Sequence, residues 1–142
     1  MSKRKRIPSR LKHKVVVWAG NKCSYCQLSQ EKVFGFTLHV EHIIPVAGGG
    51  TNAEENLCLS CAWCNLSKGT KAEEIDPHTG TLTSLYHPRK ENWEDHFEWG
   101  VNDLTVLRGK TATGRATIIA LDMNSNQFIN ARANLLKVGW HP

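Results

Sequence analysis

Two Cys-x-x-Cys pairs, Cys23/Cys26 and Cys61/Cys64 with 34 residues between them, are the strongest chemical signal in this 142-residue chain. One such pair would suit a thioredoxin-like redox site. Two pairs supply four thiolates, enough to close a tetrahedral zinc site, with an iron centre as the alternative. Cys58 adds a second register, Cys58-x-x-Cys61-x-x-Cys64. It reads as a small buried hydrophobe, the common fate of an extra cysteine. Five cysteines without a secretory signal do not read as disulfides.

Threaded between the pairs is a second pattern of residues able to handle protons and cations. It runs Glu41-His42-Ile43-Ile44-Pro45, then Gly49-Gly50-Thr51 on to Asn56-Leu57, and ends in Cys61-x-x-Cys64-Asn65-x-x-Lys68. In order, spacing and flanking residues this resembles the HNH endonuclease family, in the version whose ββα-metal fold is stapled by a four-cysteine zinc. The resemblance covers roughly Cys23 to Gly69. More loosely, His87-Pro88-Arg89, Trp93, His96-Phe97 and Gly114-Arg115-Ala116-Thr117 look like extensions of some bacterial HNH proteins.

The resemblance implies roles residue by residue. His42 matches the family's first histidine, the general base that takes a proton from the attacking water. Asn56 matches the central asparagine, which orients that histidine. Glu41 stands where the family usually has Asp, one ligand of the catalytic metal. Asn65 stands where the last histidine of the motif would be, the other ligand, so the chain is an H-N-N variant. An amide oxygen is a harder ligand than imidazole, which favours magnesium or manganese over zinc or nickel at this second site.

Phosphodiester hydrolysis needs those residue types for its own reasons. A neutral imidazole can act as base at neutral pH. A hard divalent ion between a carboxylate and an amide oxygen keeps most of its waters and supplies positive charge to the phosphate and the departing oxygen. Adjacent strand residues point to opposite faces, so Glu41 and His42 converge only if the strand bends there. On one helix, Cys61 and Cys64 share a face, while Asn65 lies about 100° further round, aimed at a different site. Lys68, one turn on from Asn65, is a candidate phosphate contact. His39 reads as exposed or hydrogen-bonded; His78, His87 and His96 have no ligand spacing and read as structural.

The elements that must position these groups follow from pattern. Pro8-Ser9 opens a helix over Arg10–Trp18 with Leu11, Val15 and Trp18 on one face, stopped by Ala19-Gly20-Asn21. Phe34–Glu41 alternates like a strand. Pro45 ends it and Gly48–Gly50 marks a wide loop. A short strand is expected at Leu57–Leu59, and a helix over Cys61–Lys68 closed by Gly69. Beyond residue 72 the pattern predicts a turn at Asp76–Gly80 and a strand-like segment over Phe97–Leu107 with a turn at Gly100. Helices are expected over Thr113–Met123 and Gln127–Val138.

Composition narrows the partners. The formal charge is +5, and no acidic residue occurs before Glu31, whereas Lys3, Arg4, Lys5, Arg6, Arg10, Lys12, Lys14 and Lys22 do. Such an arm favours a polyanion, because each neutralised phosphate releases counterions; Lys3, Arg4, Lys5 and Arg6 are the candidate nucleic-acid contacts. Hydrophobic content of 40% with five Trp residues suits a globular core. No apolar run approaches the ~20 residues of a membrane span, and a cytoplasmic protein is expected.

The expectation is therefore an α+β protein: a zinc-stapled ββα-metal core with an N-terminal helix and a mixed C-terminal extension. Residues 1–72 would hold the basic arm, helix and nuclease core, and residues 73–142 an extension of unassigned role packed on it. Its function would be divalent-metal-dependent hydrolysis of DNA, favoured over RNA, with structural zinc and catalytic magnesium or manganese. One centre cuts one strand, so a double-strand break needs a homodimer or sequential cuts. The competing reading is a zinc-knuckle module that binds nucleic acid without cutting.

Overall fold

The structure is a computed structural model that describes residues 6–32 and 37–142. It is an α+β assembly of five α-helices, three short 3-10 turns and three two-stranded antiparallel sheets among those residues. Helix α1, Ser9–Trp18, starts behind Pro8 and fully buries only Val15. It ends where Gly20 and Asn21 take φ of 63° and 56°. The first cysteine knuckle follows, closed by Gln27 N–H on the Cys23 carbonyl at 3.0 Å and Cys23 N–H on Leu28 O at 2.9 Å.

Strand β1, His39–His42, pairs with β2, Leu57–Ser60, so that Glu41 faces Cys58 and His42 faces Leu57. The longer strand expected over Phe34–Glu41 is described only from Thr37 onward, and there it begins at His39; Phe34–Phe36 lie outside the described residues. Helix α2, Ala62–Lys68, is capped by the Cys61 thiol accepting from Cys64 N–H, and Gly69 ends it at φ 53°. β1, β2 and α2 are the expected ββα unit.

The second half adds β3 (Glu73–Ile75) and β4 (Leu82–Ser84), joined across the Asp76–Gly80 turn. A short helix α3 (Trp93–His96) leads into β5 (Phe97–Trp99), which pairs with β6 (Leu107–Gly109). Two capped helices finish the fold: α4 (Ala112–Ala120), with Thr111 accepting from Gly114 N–H, and α5 (Asn126–Lys137), with Ser125 accepting from Phe128 N–H. Helix α4 stops short of the expected Met123 because Asp122 adopts φ 50°, a left-handed conformation that no helix continues through. Strands β3 and β4 are absent from the sequence reading because three residues each carry too little alternation to register.

One continuous apolar cluster runs through both halves. Tyr25 and the four knuckle cysteines share it with Tyr86, Phe97, Leu107, Leu121 and Met123. Polar clasps reinforce the seam: Trp93 Nε1 donates to Tyr25 O at 2.7 Å, and Arg89 Nε donates to Leu57 O at 2.9 Å. The Arg89 guanidinium also lies 3.5 Å from the centre of the Trp18 ring, a cation–π stack that explains why Trp18 can stay half-exposed.

The β3–β4 turn is anchored by a buried carboxylate. Asp76 accepts from Arg115 Nε and Nη2 at 2.8 and 2.9 Å, from His78 N–H at 3.1 Å and from Thr79 Oγ1 at 2.8 Å. The Arg115 guanidinium holds this carboxyl far below the usual carboxylate range, against the opposing push of burial. Because the folded value lies below the unfolded one, the ionised group contributes stability that is fully present above about pH 4 and is lost as pH falls toward the folded value. The melting-temperature gap between wild type and Asp76→Asn is therefore expected to be widest at neutral pH and to shrink on acidification. A gap that stays constant with pH would assign the contribution to hydrogen-bond geometry instead of charge.

Candidate metal centres and active site

The four cysteine sulfurs at positions 23, 26, 61 and 64 all lie within 4.8 Å of one another and are fully or almost fully buried. Four thiolates at ~2.3 Å from a tetrahedral ion stand about 3.8 Å apart. The Cys26–Cys61 sulfur separation of 3.7 Å fits that edge. The donor set is all sulfur and leaves no open position, which suits a structural zinc. Cys58 is buried outside the group, its thiol donating to Tyr25 Oη at 3.8 Å, and burial pushes its pKa up to about 12. It packs as a neutral hydrophobe, in the role expected for it.

The catalytic candidates gather on the other side of α2. Glu41, His42 and Asn65 line one cleft of about 430 Å³, walled by Pro45, Val46, Ala47 and Leu66. Glu41 and His42 both reach it because β1 ends at His42 and the chain bends at Ile43 and Ile44. Two oxygen donors, a carboxylate and an amide, beside a cleft with room for several waters suit a hard divalent ion.

His42 is 8% exposed, and its Nε2 lies 2.7 Å from Asn52 Oδ1. A carbonyl oxygen only accepts, so in this pairing the ring donates through Nε2. Asn52 is a residue the sequence reading missed. Its one signal is its place in the Gly-Gly-Thr-Asn run, and that run does not say which side chain will turn inward.

Asn56 corrects the expectation that it orients His42 directly. Its Oδ1 accepts from Ile44 N–H at 2.8 Å, and its Nδ2 donates to Ile44 O at 3.0 Å and Thr51 O at 2.8 Å. All three of these side-chain hydrogen bonds go to main chain at the two ends of the 44–51 loop. It pins the loop, and Asn52 on that loop meets the ring. Gly50 completes the clamp: a Cβ there would overlap the Ile44 carbonyl oxygen and stand 2.9 Å from Asn56 Nδ2, so no larger residue fits.

Lys68 also departs from its expected role. It is 4% exposed, and its Nζ donates to Ile43 O at 2.8 Å. Burial lowers its pKa, with Cys58 and Glu41 pulling the other way. The long stem lies along the hairpin with its ammonium turned inward, tying α2 to the bend after β1, so it does not offer its charge to a phosphate. Of the basic arm, Lys3, Arg4 and Lys5 lie outside the described residues, and Arg6 is exposed. No helix among the described residues is long and apolar enough to cross a membrane.

Residues 23–71 match a family model, that of HNH endonuclease. The match takes in both cysteine pairs, the β1–β2 hairpin, the pinned loop and α2. Neither the curated proteins nor the solved structures contain a match to the chain.

Proposed function

We propose, from the match of residues 23–71 to the HNH endonuclease family model, that the chain is a divalent-metal-dependent endonuclease hydrolysing phosphodiester bonds in DNA. The observation that carries this reading is the convergence of Glu41, His42 and Asn65 on one cleft beside the four-cysteine site. A non-catalytic zinc knuckle has no use for that convergence.

In this mechanism His42 takes the proton of the attacking water, and Asn52 holds the ring at Nε2. Asn56 and Gly50 are positioning residues that fix the loop from which Asn52 acts. Glu41 and Asn65 would hold magnesium or manganese, which when bound would supply positive charge to the phosphate and the departing oxygen. Residues 1–72 form the arm, helix and nuclease core, and residues 73–142 complete the apolar cluster beneath it. RNA is the weaker substrate in this reading.

The decisive measurement is supercoiled-plasmid conversion by zinc-loaded protein across magnesium, manganese, nickel and zinc. Nicked circles are expected to appear first, with magnesium or manganese and not without added ion. DNA that is bound but never nicked under any of the four ions would leave the zinc-knuckle binding module as the better reading.

A further inference from the structure

Helix α1 breaks two local rules at once. Its first turn holds no acidic residue and does hold Arg10, so a cation sits at the positive end of the helix dipole. Arg10 and Lys14 are four apart, so like charges stack on one exposed face, with His13 beside them. Each arrangement costs a few tenths of a kcal/mol, and nothing nearby offsets them. Among the described residues the ion pairs are His96–Glu91 and Arg115–Asp76, neither of them on α1. Packing does not demand these side chains either. Val15 is the helix's one fully buried residue, while Arg10, Lys12, His13 and Lys14 are all exposed. Violations of local preference without local compensation mark surfaces kept for a partner.

The opposite face of α1 packs on β2 and on β1, the strand that ends in His42. We propose that the outward face of α1, carrying Arg10, His13 and Lys14, is a docking surface for the phosphodiester backbone of a nucleic acid. The identity of the partner rests on the nuclease reading; the need for a polyanion rests on the charge pattern alone. The surface contributes phosphate contacts, so it gives affinity and register without base readout.

The test is binding of a labelled mixed-sequence duplex DNA to the full chain, without added divalent ion so that cutting does not intrude. For Arg10→Gln/Lys14→Gln, affinity is expected to fall by roughly tenfold on unrelated sequences, and the slope of log affinity against log salt to drop by about 2. Zinc content is unchanged and the melting temperature equal or higher, since the variant relieves repulsion. The charge-keeping Arg10→Lys/Lys14→Arg protein binds like wild type. Equal affinity and slope in the neutralised variant would overturn the proposal, as would loss of binding in the charge-keeping one. It also fails if the neutralised variant keeps its DNA affinity but loses binding to phosphatidylserine vesicles. A wild type whose DNA binding depends on α1 but which never nicks DNA leaves the docking surface standing and sinks the nuclease reading.

Discussion

Cys64→Ser is expected to abolish cooperative folding altogether. The four sulfurs sit within 4.8 Å of one another at the meeting point of the first knuckle and α2. Structural zinc contributes roughly 10–16 kcal/mol in peptide systems at neutral pH. A whole domain is stable by only about 5–15 kcal/mol, so losing a substantial part of the zinc term is enough to unfold the chain. Cys23→Ser should behave the same way. Cys58→Ser is the control: its thiol contacts Tyr25 and not the sulfur cluster, so zinc stays bound at one per chain and the loss is confined to packing. Metal analysis beside thermal denaturation checks all three. Zinc retained in Cys64→Ser, or lost in Cys58→Ser, would reassign the ligands.

The second large effect separates base from ligand at the cleft. His42→Ala should lower the nicking rate by about 10²–10⁴-fold, the usual worth of a positioned general base, while divalent ion and DNA still bind. Glu41→Ala should lose the ion and the cleavage together, with partial recovery at high manganese. Asn65→His replaces an amide oxygen with an imidazole and should keep activity while moving ion preference toward softer metals. Nicking rate and ion affinity are measured side by side on zinc-loaded protein. Near wild-type cutting by His42→Ala would remove His42 from the mechanism.

Spacing made the four-cysteine site legible and left the supporting contacts hidden. Two Cys-x-x-Cys pairs announce a tetrahedral site whatever the path between them, because four thiolates have few other uses. The ββα order was equally readable, since Pro45, the glycine run and Gly69 punctuate it. Asn56 was found but given the wrong contact. Its type and position are visible in the sequence; that its amide closes on Ile44 and Thr51, leaving the ring to Asn52, depends on how the loop doubles back. Lys68 misled for a similar reason. A lysine on a short helix looks like a surface charge until the hairpin beneath it presents a carbonyl. In the second half, α4 and α5 showed their periodicity, but three-residue strands and the Asp76–Arg115 pair join distant positions that no local pattern links.

The clasps from Trp93 to Tyr25 and from Arg89 to Leu57 bear on how this protein can be engineered. A four-cysteine segment that ended cleanly at its own surface could be spliced into another scaffold as a cassette. Here the graft would carry away Tyr25, Leu57 and Trp18 without the tryptophan and the guanidinium that cover them, and would present a raw apolar underside to its new host. A working transplant must therefore take the lid with the blade, or the recipient must be given a lid of its own.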